Sequence, residues 1–156
     1  MKEAQWRLGR EVRAMLAARG FVSVAAEGFG IKPLEGVVVE TNEETVIEVD
    51  LDPEVTLTVN TVGQFERTLW VITTTRPVSD FSHPGSIHFL PGFTGLRYVT
   101  QGGEAEVRGQ SAGTLHVLVV ASGLIRFNLD QAEILVNETI TIPSGVKEHR
   151  HTIHLP

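Results

Sequence analysis

From residue 21 onward the sequence divides into short segments rich in Val, Ile and Thr, and this pattern constrains the fold more than any other feature. Residues 55–59 show it most clearly, because Val and Leu alternate with Thr and so fall on opposite faces of an extended strand. Turn-forming residues interrupt such segments about every eight to twelve positions, the spacing of β-sandwiches and barrels. The pattern predicts a mainly β domain, an antiparallel β-sandwich of jelly-roll type, over residues 21–156.

The segment before residue 21 has a different pattern. Apolar side chains recur at helical spacing over residues 2–18, and Gly20 suits the C-terminal end of a helix. These apolar residues are Leu8, Val12, Met15 and Leu16. The pattern predicts a short N-terminal α-helix, which either packs across the sheet or forms an arm that docks on a neighbouring molecule through Trp6, Leu8 and Val12. We therefore divide the chain into an arm at residues 1–20 and a single β domain at residues 21–156.

Composition argues against several classes of function. The chain of 156 residues is long enough to bury a core, and it lacks the cysteines that disulfides or thiolate sites require. Its net charge of −6 argues against a nucleic-acid-binding protein, which needs a basic face. No apolar run approaches the roughly 20 residues of a membrane span, and residues 1–7 contain no signal-peptide core. We expect neither nucleic acid nor membrane as a partner, and a cytoplasmic location unless the protein belongs to a virion.

A long segment rich in Pro and Gly, residues 76–95, interrupts the strand pattern. Segments of this length without regular structure are uncommon inside a compact domain and often have a function. The apolar side chains of this segment must be buried, either beneath the segment itself or against another subunit. The second alternative makes Phe81, Phe89 and Phe93 candidate interface anchors.

Two further segments, 37–39 and 117–120, are apolar on both faces of the strands that they predict. Strands of this kind must be covered on both sides. Because one short helix covers few strands of a sandwich, we expect a second subunit to cover the remainder. This argument predicts a structural subunit of a homo-oligomer, with a trimer as the favoured form, rather than an enzyme.

The small size, acidity, lack of cysteine, predicted β-sandwich and N-terminal arm together resemble in type the decoration (cement) proteins of tailed-phage capsids. Those proteins commonly sit as trimers on the capsid and staple the shell through many contacts. The resemblance implies a structural virion protein that has no cofactor and binds the major capsid protein or a similar shell. The abundance of Arg and Glu, with few Asn and Met, is typical of a thermophilic source.

The C-terminal residues His149, His151 and His154 form the best candidate metal site in the sequence. In an extended strand His149 and His151 point to one face, roughly 6.5–7 Å apart, whereas His154 points to the other face. Three histidines can hold zinc or another divalent ion if a turn gathers them. The alternative interpretation is a polar C-terminal tail.

Residues 115–120, 122–123 and 137–146, followed by His149, resemble the second conserved motif of the cupins. In that family a strand runs into Pro-x-Gly, which is 143–145 here, and then into a metal-binding histidine. The resemblance implies a jelly-roll domain that binds a small ligand or a metal inside its barrel. The histidine of the family motif falls on Glu148 in this sequence, one residue before His149.

A third interpretation is a carbohydrate- or surface-binding β-sandwich module, in which Trp70, Tyr98 and the aromatic residues of segment 76–95 form a stacking platform. The sequence contains neither the Gly-x-Ser-x-Gly elbow of hydrolases nor a phosphate-binding loop. We interpret His116, which lies between two apolar residues, as a core or interface histidine.

One internal similarity is present. Residues 63–71 and 109–117 share Gly, Gln, Thr, Leu and Val at matched positions. Two equivalent strand entries in a pseudo-symmetric domain would produce this similarity, and so would chance among strands that use a small set of residue types.

Overall fold

The computed structural model describes residues 15–17, 21–37, 47–81, 87, 90–122 and 129–156. These residues are mainly β, as the sequence predicts. The strands are β1 (Met15–Ala17), β2 (Phe21–Val24), β3 (Lys32–Leu34), β4 (Val55–Val62), β5 (Thr68–Thr74), β6 (Phe93–Tyr98), β7 (Glu104–Gln110), β8 (Gly113–Ser122), β9 (Glu133–Ile142) and β10 (Glu148–His154). A 3-10 helix (Leu129–Gln131) precedes β9. No helix in these ranges is long and apolar enough to cross a lipid bilayer.

The predicted N-terminal helix is wrong where the structure describes it. Residues Met15–Ala17 form β1, which pairs antiparallel with β2, and residues 1–14 lie outside the described part. A strand of three residues gains its stability from its partner, so tertiary pairing has overridden the helical spacing of the apolar side chains.

The strands form three sheets, with the orders β1-β2-β3, β10-β4-β7 and β6-β5-β8-β9. All described pairs are antiparallel except β10 with β4, which is parallel. This pair corrects the expectation of a wholly antiparallel domain. After β9 the chain returns to the other large sheet, where β10 lies beside β4 and runs in the same direction.

The main core lies between the sheets β10-β4-β7 and β6-β5-β8-β9, because its buried residues come from the facing sides of both. In β4 the predicted alternation is confirmed: Val55, Leu57 and Val59 are buried, while the Thr side chains between them are only partly buried. The inner face of β8 contributes Val117 and Val119, which have no exposed surface.

A second apolar cluster lies on the outer face of β6-β5-β8-β9. It contains Ile72, Leu118 and Val120, which have no exposed surface, together with Val78 and Ile87 of the segment between β5 and β6. The chain itself therefore covers the outer face of β8, and the expectation that a second subunit does so is wrong. The other segment expected to need cover from a partner is 37–39. Its Val37 is partly buried, and residues 38–39 lie outside the described part.

The strand order repeats internally. β4, β5 and β6 occupy one half of the two large sheets and β7, β8 and β9 the other, with β4 beside β7 and β5 beside β8. The two similar sequence segments, 63–71 and 109–117, begin at Gly63 and Gly109, which both have positive φ (129° and 73°). The first segment covers the crossing from β4 to β5, and the second covers the end of β7 and the crossing from β7 to β8.

The two large sheets have two distinct ends. We call the end with loops 63–67 and 99–103 the upper end, and the end with residues 111–112 and 143–147 the lower end. Residues 28–32 pack on the lower end, where the Gly30 N–H donates to the Asp52 carbonyl at 2.9 Å and the Ile31 N–H donates to the Gly109 carbonyl at 2.7 Å. The packing is close, since a Cβ at Gly30 would lie 2.0 Å from Ser111 Oγ. Residues 28–32 thus cover part of the lower end.

Candidate functional site

The large hydrophobic side chains that remain exposed in the described residues all lie at the upper end. They are Val62, Phe65 and Tyr98, with 47%, 37% and 59% of their surface exposed. Val62 ends β4, Phe65 lies in the loop between β4 and β5, and Tyr98 ends β6. Because β5 and β6 are antiparallel, the end of β6 and the start of β5 lie together. Val62 lies on the outer face of β10-β4-β7 and Tyr98 on the outer face of β6-β5-β8-β9, so the three residues surround this end from different sides. We call these three residues the upper patch.

A depression of about 510 Å³ lies beside the upper patch. Its walls come from the end of β4, the 63–67 loop, the start of β5 and the 99–103 loop. Phe65 and Val99 supply apolar surface, and Glu66, Arg67 and Gln101 supply polar groups. The Val99 N–H donates to the Leu69 carbonyl at 2.8 Å, which holds the second loop against β5.

Arg67 connects the 63–67 loop to the opposite side of the upper end. Its Nη1 donates to Glu133 Oε2 at 3.0 Å, and its Nη2 donates to the Gln131 carbonyl at 2.8 Å and the Ala121 carbonyl at 3.4 Å. The guanidinium therefore joins the loop that carries Phe65 to the end of β8 and the start of β9.

Trp70 and Tyr98 are cross-strand neighbours on β5 and β6. Their ring centroids are 6.2 Å apart with an interplanar angle of 75°, an edge-to-face arrangement. Such pairs stabilise a sheet, and they contribute roughly 0.5–1.5 kcal/mol beyond their buried area. Trp70 is partly buried and Tyr98 is exposed, so the pair extends the upper patch over the outer face of the sheet.

The predicted interface residues are elsewhere or outside the described part. Phe81 and Phe93 are partly buried and pack against the second apolar cluster. These two side chains therefore follow the first alternative for segment 76–95, burial beneath the segment itself rather than against another subunit. Phe89 and the arm residues Trp6, Leu8 and Val12 lie outside the described part. The structure therefore brings none of the predicted anchors to the upper patch.

The three C-terminal histidines do not converge. In β10, His149 and His151 pair with Leu57 and Val59 of β4 and share the inner side, whereas His154 pairs with the exposed Val62 on the outer side. The strand geometry predicted from the sequence is thus confirmed, and the turn needed to gather the three rings is not formed. Among the described residues, no three His, Cys, Asp or Glu side chains are grouped closely enough to hold a metal ion.

Two histidines have hydrogen-bonding partners instead. His151 Nε2 lies 2.8 Å from Glu138 Oε2, so this half-buried ring links β10 to β9 across the edge of the two sheets. His116 Nδ1 lies 3.1 Å from Thr139 Oγ1 of the neighbouring strand. Both contacts satisfy a ring nitrogen within the fold.

The segments that resemble the cupin motif fall on β8, β9 and the turn between β9 and β10, where Gly145 has a φ of 81°. A strand followed by a Pro-x-Gly turn is therefore formed. Glu148, at the position of the family histidine, is exposed at the start of β10. The donor set expected of a cupin metal centre is consequently not assembled in the described residues.

The outer face of β10-β4-β7 is polar. Arg150 pairs with Glu104 at 3.3 Å and Arg108 pairs with Glu106 at 2.8 Å, and all four side chains are more than half exposed. The hydrogen bond to Glu106 and the charge of that carboxylate raise the pKa of Arg108 above its ordinary value. This face has the composition of a solvated sheet surface.

A second depression, of about 520 Å³, lies at the lower end beside Glu54, Arg108 and Lys147. Glu54 and Arg108 are already engaged, since Glu54 Oε1 accepts the Gly109 N–H at 3.0 Å and Arg108 pairs with Glu106. The depression has no convergent set of polar groups comparable with a substrate site.

A comparison with protein-family models, with curated proteins and with solved structures finds no match.

Sequence reasoning missed Val62 and Phe65, and it considered Tyr98 only as a stacking residue. One signal for Val62 is present in the sequence: the alternation of β4 places it on the face of Thr56, Thr58 and Asn60 rather than on the apolar face. An apolar residue at such a position is a candidate for contact outside the core.

Proposed function

We propose that the chain is a structural protein that associates with further copies of itself through the upper patch and decorates a capsid or similar shell. The observation that carries this proposal is the position of Val62, Phe65 and Tyr98, which are the large hydrophobic side chains exposed among the described residues and all lie at the upper end. The packing of β10-β4-β7 on β6-β5-β8-β9 supports a β-sandwich of jelly-roll type as the scaffold.

The size of the patch sets the strength of the expected association. Complete burial of one large apolar side chain stabilises a protein or complex by about 1.5–3 kcal/mol. Burying the exposed fractions of Val62, Phe65 and Tyr98 at an interface therefore contributes about 2–4 kcal/mol to association for each copy. Association of two proteins costs about 4–15 kcal/mol in lost freedom and ordering. Contact between two copies through the patch alone is therefore weak, with a Kd of about 1 mM at the tightest.

Weak individual contacts suit a protein that binds a repetitive shell. When many sites are presented on one particle, each further contact is intramolecular, and overall binding exceeds the single affinity by roughly 10²–10⁴. A net charge of −6 keeps the free protein soluble at the concentrations that such assembly requires. These considerations favour a decoration role over a tight stand-alone oligomer.

The first test is small-angle X-ray scattering over a concentration series up to about 1 mM. We expect the apparent mass of the wild type to rise with concentration towards that of a trimer. The double variant Phe65→Ser with Tyr98→Ser should stay monomeric, because the apolar contact is removed. The control Lys147→Ser, at an exposed position of the lower end, should behave like the wild type. A wild type that remains monomeric throughout the series overturns the proposal.

The second test concerns the shell. Mass spectrometry of particles purified from the source of the gene should find the chain in stoichiometric amounts with the major shell protein. Recombinant chain added to particles from which it has been removed should rebind, and the Phe65→Ser, Tyr98→Ser variant should rebind less. Absence of the chain from every purified particle fraction contradicts the capsid part of the proposal.

A carbohydrate-binding module is the second candidate, favoured by the exposed Tyr98 beside Trp70. A sugar ring can stack on an exposed aromatic face. A glycan array and isothermal titration with the best-bound glycan test this candidate directly. Binding that is lost in Tyr98→Ala while self-association persists would favour the module over the structural protein.

A further inference from the structure

A smaller depression, of about 270 Å³, lies at the lower end between the two large sheets and the segment that contains β3. Thr94 of β6, Gln110 of β7 and Leu115 of β8 line its inner part, and all three side chains are buried. Residues 31–33 form one wall, and the Ile31 N–H donates to a carbonyl of β7 at 2.7 Å, which fixes this wall in place. The depression is therefore a recess between several elements of the fold.

The inner part of this depression is polar and has a fixed arrangement. Thr94 Oγ1 donates to Gln110 Oε1 at 2.9 Å and lies 2.9 Å from Thr73 Oγ1. Gln110 Nε2 donates to the Arg108 carbonyl at 3.0 Å and to the Thr94 carbonyl at 3.3 Å. Both amide protons are thereby used within the fold, and the Gln110 side-chain oxygen keeps one lone pair as an acceptor. The buried network thus holds its polar groups in place before any ligand binds.

The outer part of the depression carries polar groups that the fold does not use. Within the described residues, the side chains of Asp52, Ser111 and Thr114 have no hydrogen-bond or ion-pair partner. Lys32 Nζ donates to the Asp50 carbonyl at 2.7 Å, which leaves two ammonium protons for other acceptors. A ligand in the depression therefore meets donors and acceptors on several sides.

The lining favours a neutral ligand with several hydroxyl groups. Five neutral polar side chains line the depression, against one cation and one anion. They are Thr75, Thr94, Gln110, Ser111 and Thr114, and the two ions are Lys32 and Asp52. A net charge on the ligand would be attracted by one of these ions and repelled by the other. Hydroxyl groups both donate and accept, so they can pair with any of these side chains.

Apolar surface and size narrow the class further. Ile31, Pro33 and Leu115 place apolar surface among the polar groups, which suits the C–H groups of a sugar ring. Ligand pockets typically have about 300–1,000 Å³, so a depression of about 270 Å³ accommodates one ring rather than an oligosaccharide. We propose that this depression binds a single ring of a neutral sugar or cyclic polyol. The inference does not depend on the proposed self-association, and it places the ring at the opposite end from Tyr98.

The experiment is a titration of isotope-labelled protein with glucose, galactose, mannose and myo-inositol, followed by amide chemical shifts. Each probe is added to about 10 mM, which detects dissociation constants in the millimolar range. We expect saturable shifts at the amides of residues 31–32 and 110–112, and none at residues 63–67 of the upper end. The free amino acid alanine, gluconate and glucosamine serve as zwitterionic, anionic and cationic probes, and each should bind less tightly than the best sugar.

Two pairs of variants test the lining. Asp52→Ala removes an acceptor from the depression and should raise the dissociation constant of the best sugar by about tenfold. Its control Asp50→Ala removes another exposed carboxylate but keeps the backbone carbonyl that binds Lys32, and should change that constant by less than about twofold. Ser111→Ala should raise the constant by about three- to tenfold, whereas Ser144→Ala, in an exposed turn of the lower end, should not. Urea denaturation checks that each variant is folded.

Saturable binding of a sugar that is weakened in both Asp52→Ala and Ser111→Ala, and in neither control, supports the proposal. No saturable shift with any of the four probes, or binding that either variant leaves unchanged, overturns it. Tighter binding of alanine, gluconate or glucosamine would refute the neutral class. Loss of sugar binding in Tyr98→Ala would place the site at the upper end and refute the inference as well. The scattering series measures self-association separately, so failure of this inference is distinct from failure of the proposed function.

Discussion

Replacing Leu118 by Ala tests whether the chain covers its own outer sheet face. Leu118 lies on β8, has no exposed surface, and packs in the second apolar cluster beneath Val78 and Ile87. A fully buried Leu→Ala substitution costs about 2–5 kcal/mol of unfolding free energy, depending on how far the surroundings collapse into the cavity. Leu118 is covered in part by the irregular segment between β5 and β6, which can relax into a cavity more readily than a strand can. We therefore expect Leu118→Ala to lower the free energy of unfolding by about 3 kcal/mol.

The alternative arrangement gives a different magnitude. If a second subunit covered this face, the isolated chain would leave Leu118 exposed, and its replacement would change stability by about 0.5 kcal/mol or less. For a chain of this length, a loss of about 3 kcal/mol lowers Tm by about 6–12 °C. The two arrangements are therefore readily distinguished.

The assay is urea denaturation of dilute protein, followed by circular dichroism, with the slope m compared between variants. Val62→Ala, which removes apolar atoms from a position that is 47% exposed, serves as the control and should cost less than about 1 kcal/mol. A cost for Leu118→Ala no greater than that of Val62→Ala would refute the self-covered sheet. It would also restore the argument for a second subunit on this face.

Three further perturbations address other parts of the fold. Gly30→Ala should destabilise by about 1–3 kcal/mol in urea denaturation, because the new Cβ meets the neighbouring turn at 2.0 Å, and a neutral result would contradict the packing of the lower end. Gln110→Ala should cost about 1–3 kcal/mol in the same assay, since it removes a buried side chain whose Nε2 donates to the Arg108 carbonyl at 3.0 Å and the Thr94 carbonyl at 3.3 Å. A double-mutant cycle on His151 and Glu138 should give a coupling below about 1 kcal/mol, because both side chains are partly exposed, and a larger value would indicate a more enclosed pair.

The local β pattern was predictable, because it depends on side-chain periodicity alone. The alternation of β4 identified Leu57 and Val59 as inward residues, and the same rule separated His154 from the other two histidines of β10. These predictions need no knowledge of strand order. The N-terminal helix failed for the complementary reason: in Met15–Ala17 the pairing with β2 decides the backbone, and spacing alone cannot reveal that pairing.

The cover of β8 could not be predicted from the strand itself. A strand that is apolar on both faces indicates two covering layers, and it does not indicate whether these belong to the same chain. Apolar residues of segment 76–95 form this cover: Val78 and Ile87 pack on the sheet together with Phe81 and Phe93. The exposure of Phe65 could not be predicted either, because a loop residue belongs to no periodic pattern that would indicate whether its side chain is buried or exposed.

The distribution of covered and uncovered surface limits how copies of this chain can meet. On the outer face of β6-β5-β8-β9, described residues of segment 76–95 cover Leu118 and Val120 but leave Tyr98 exposed. The outer face of β10-β4-β7 carries exposed charged pairs and the exposed Val62, and residues 28–32 pack on the lower end. The proposed self-association therefore predicts apolar contact at the upper end. An end contact of this kind is small, and it becomes effective when a shell holds several copies at the right spacing.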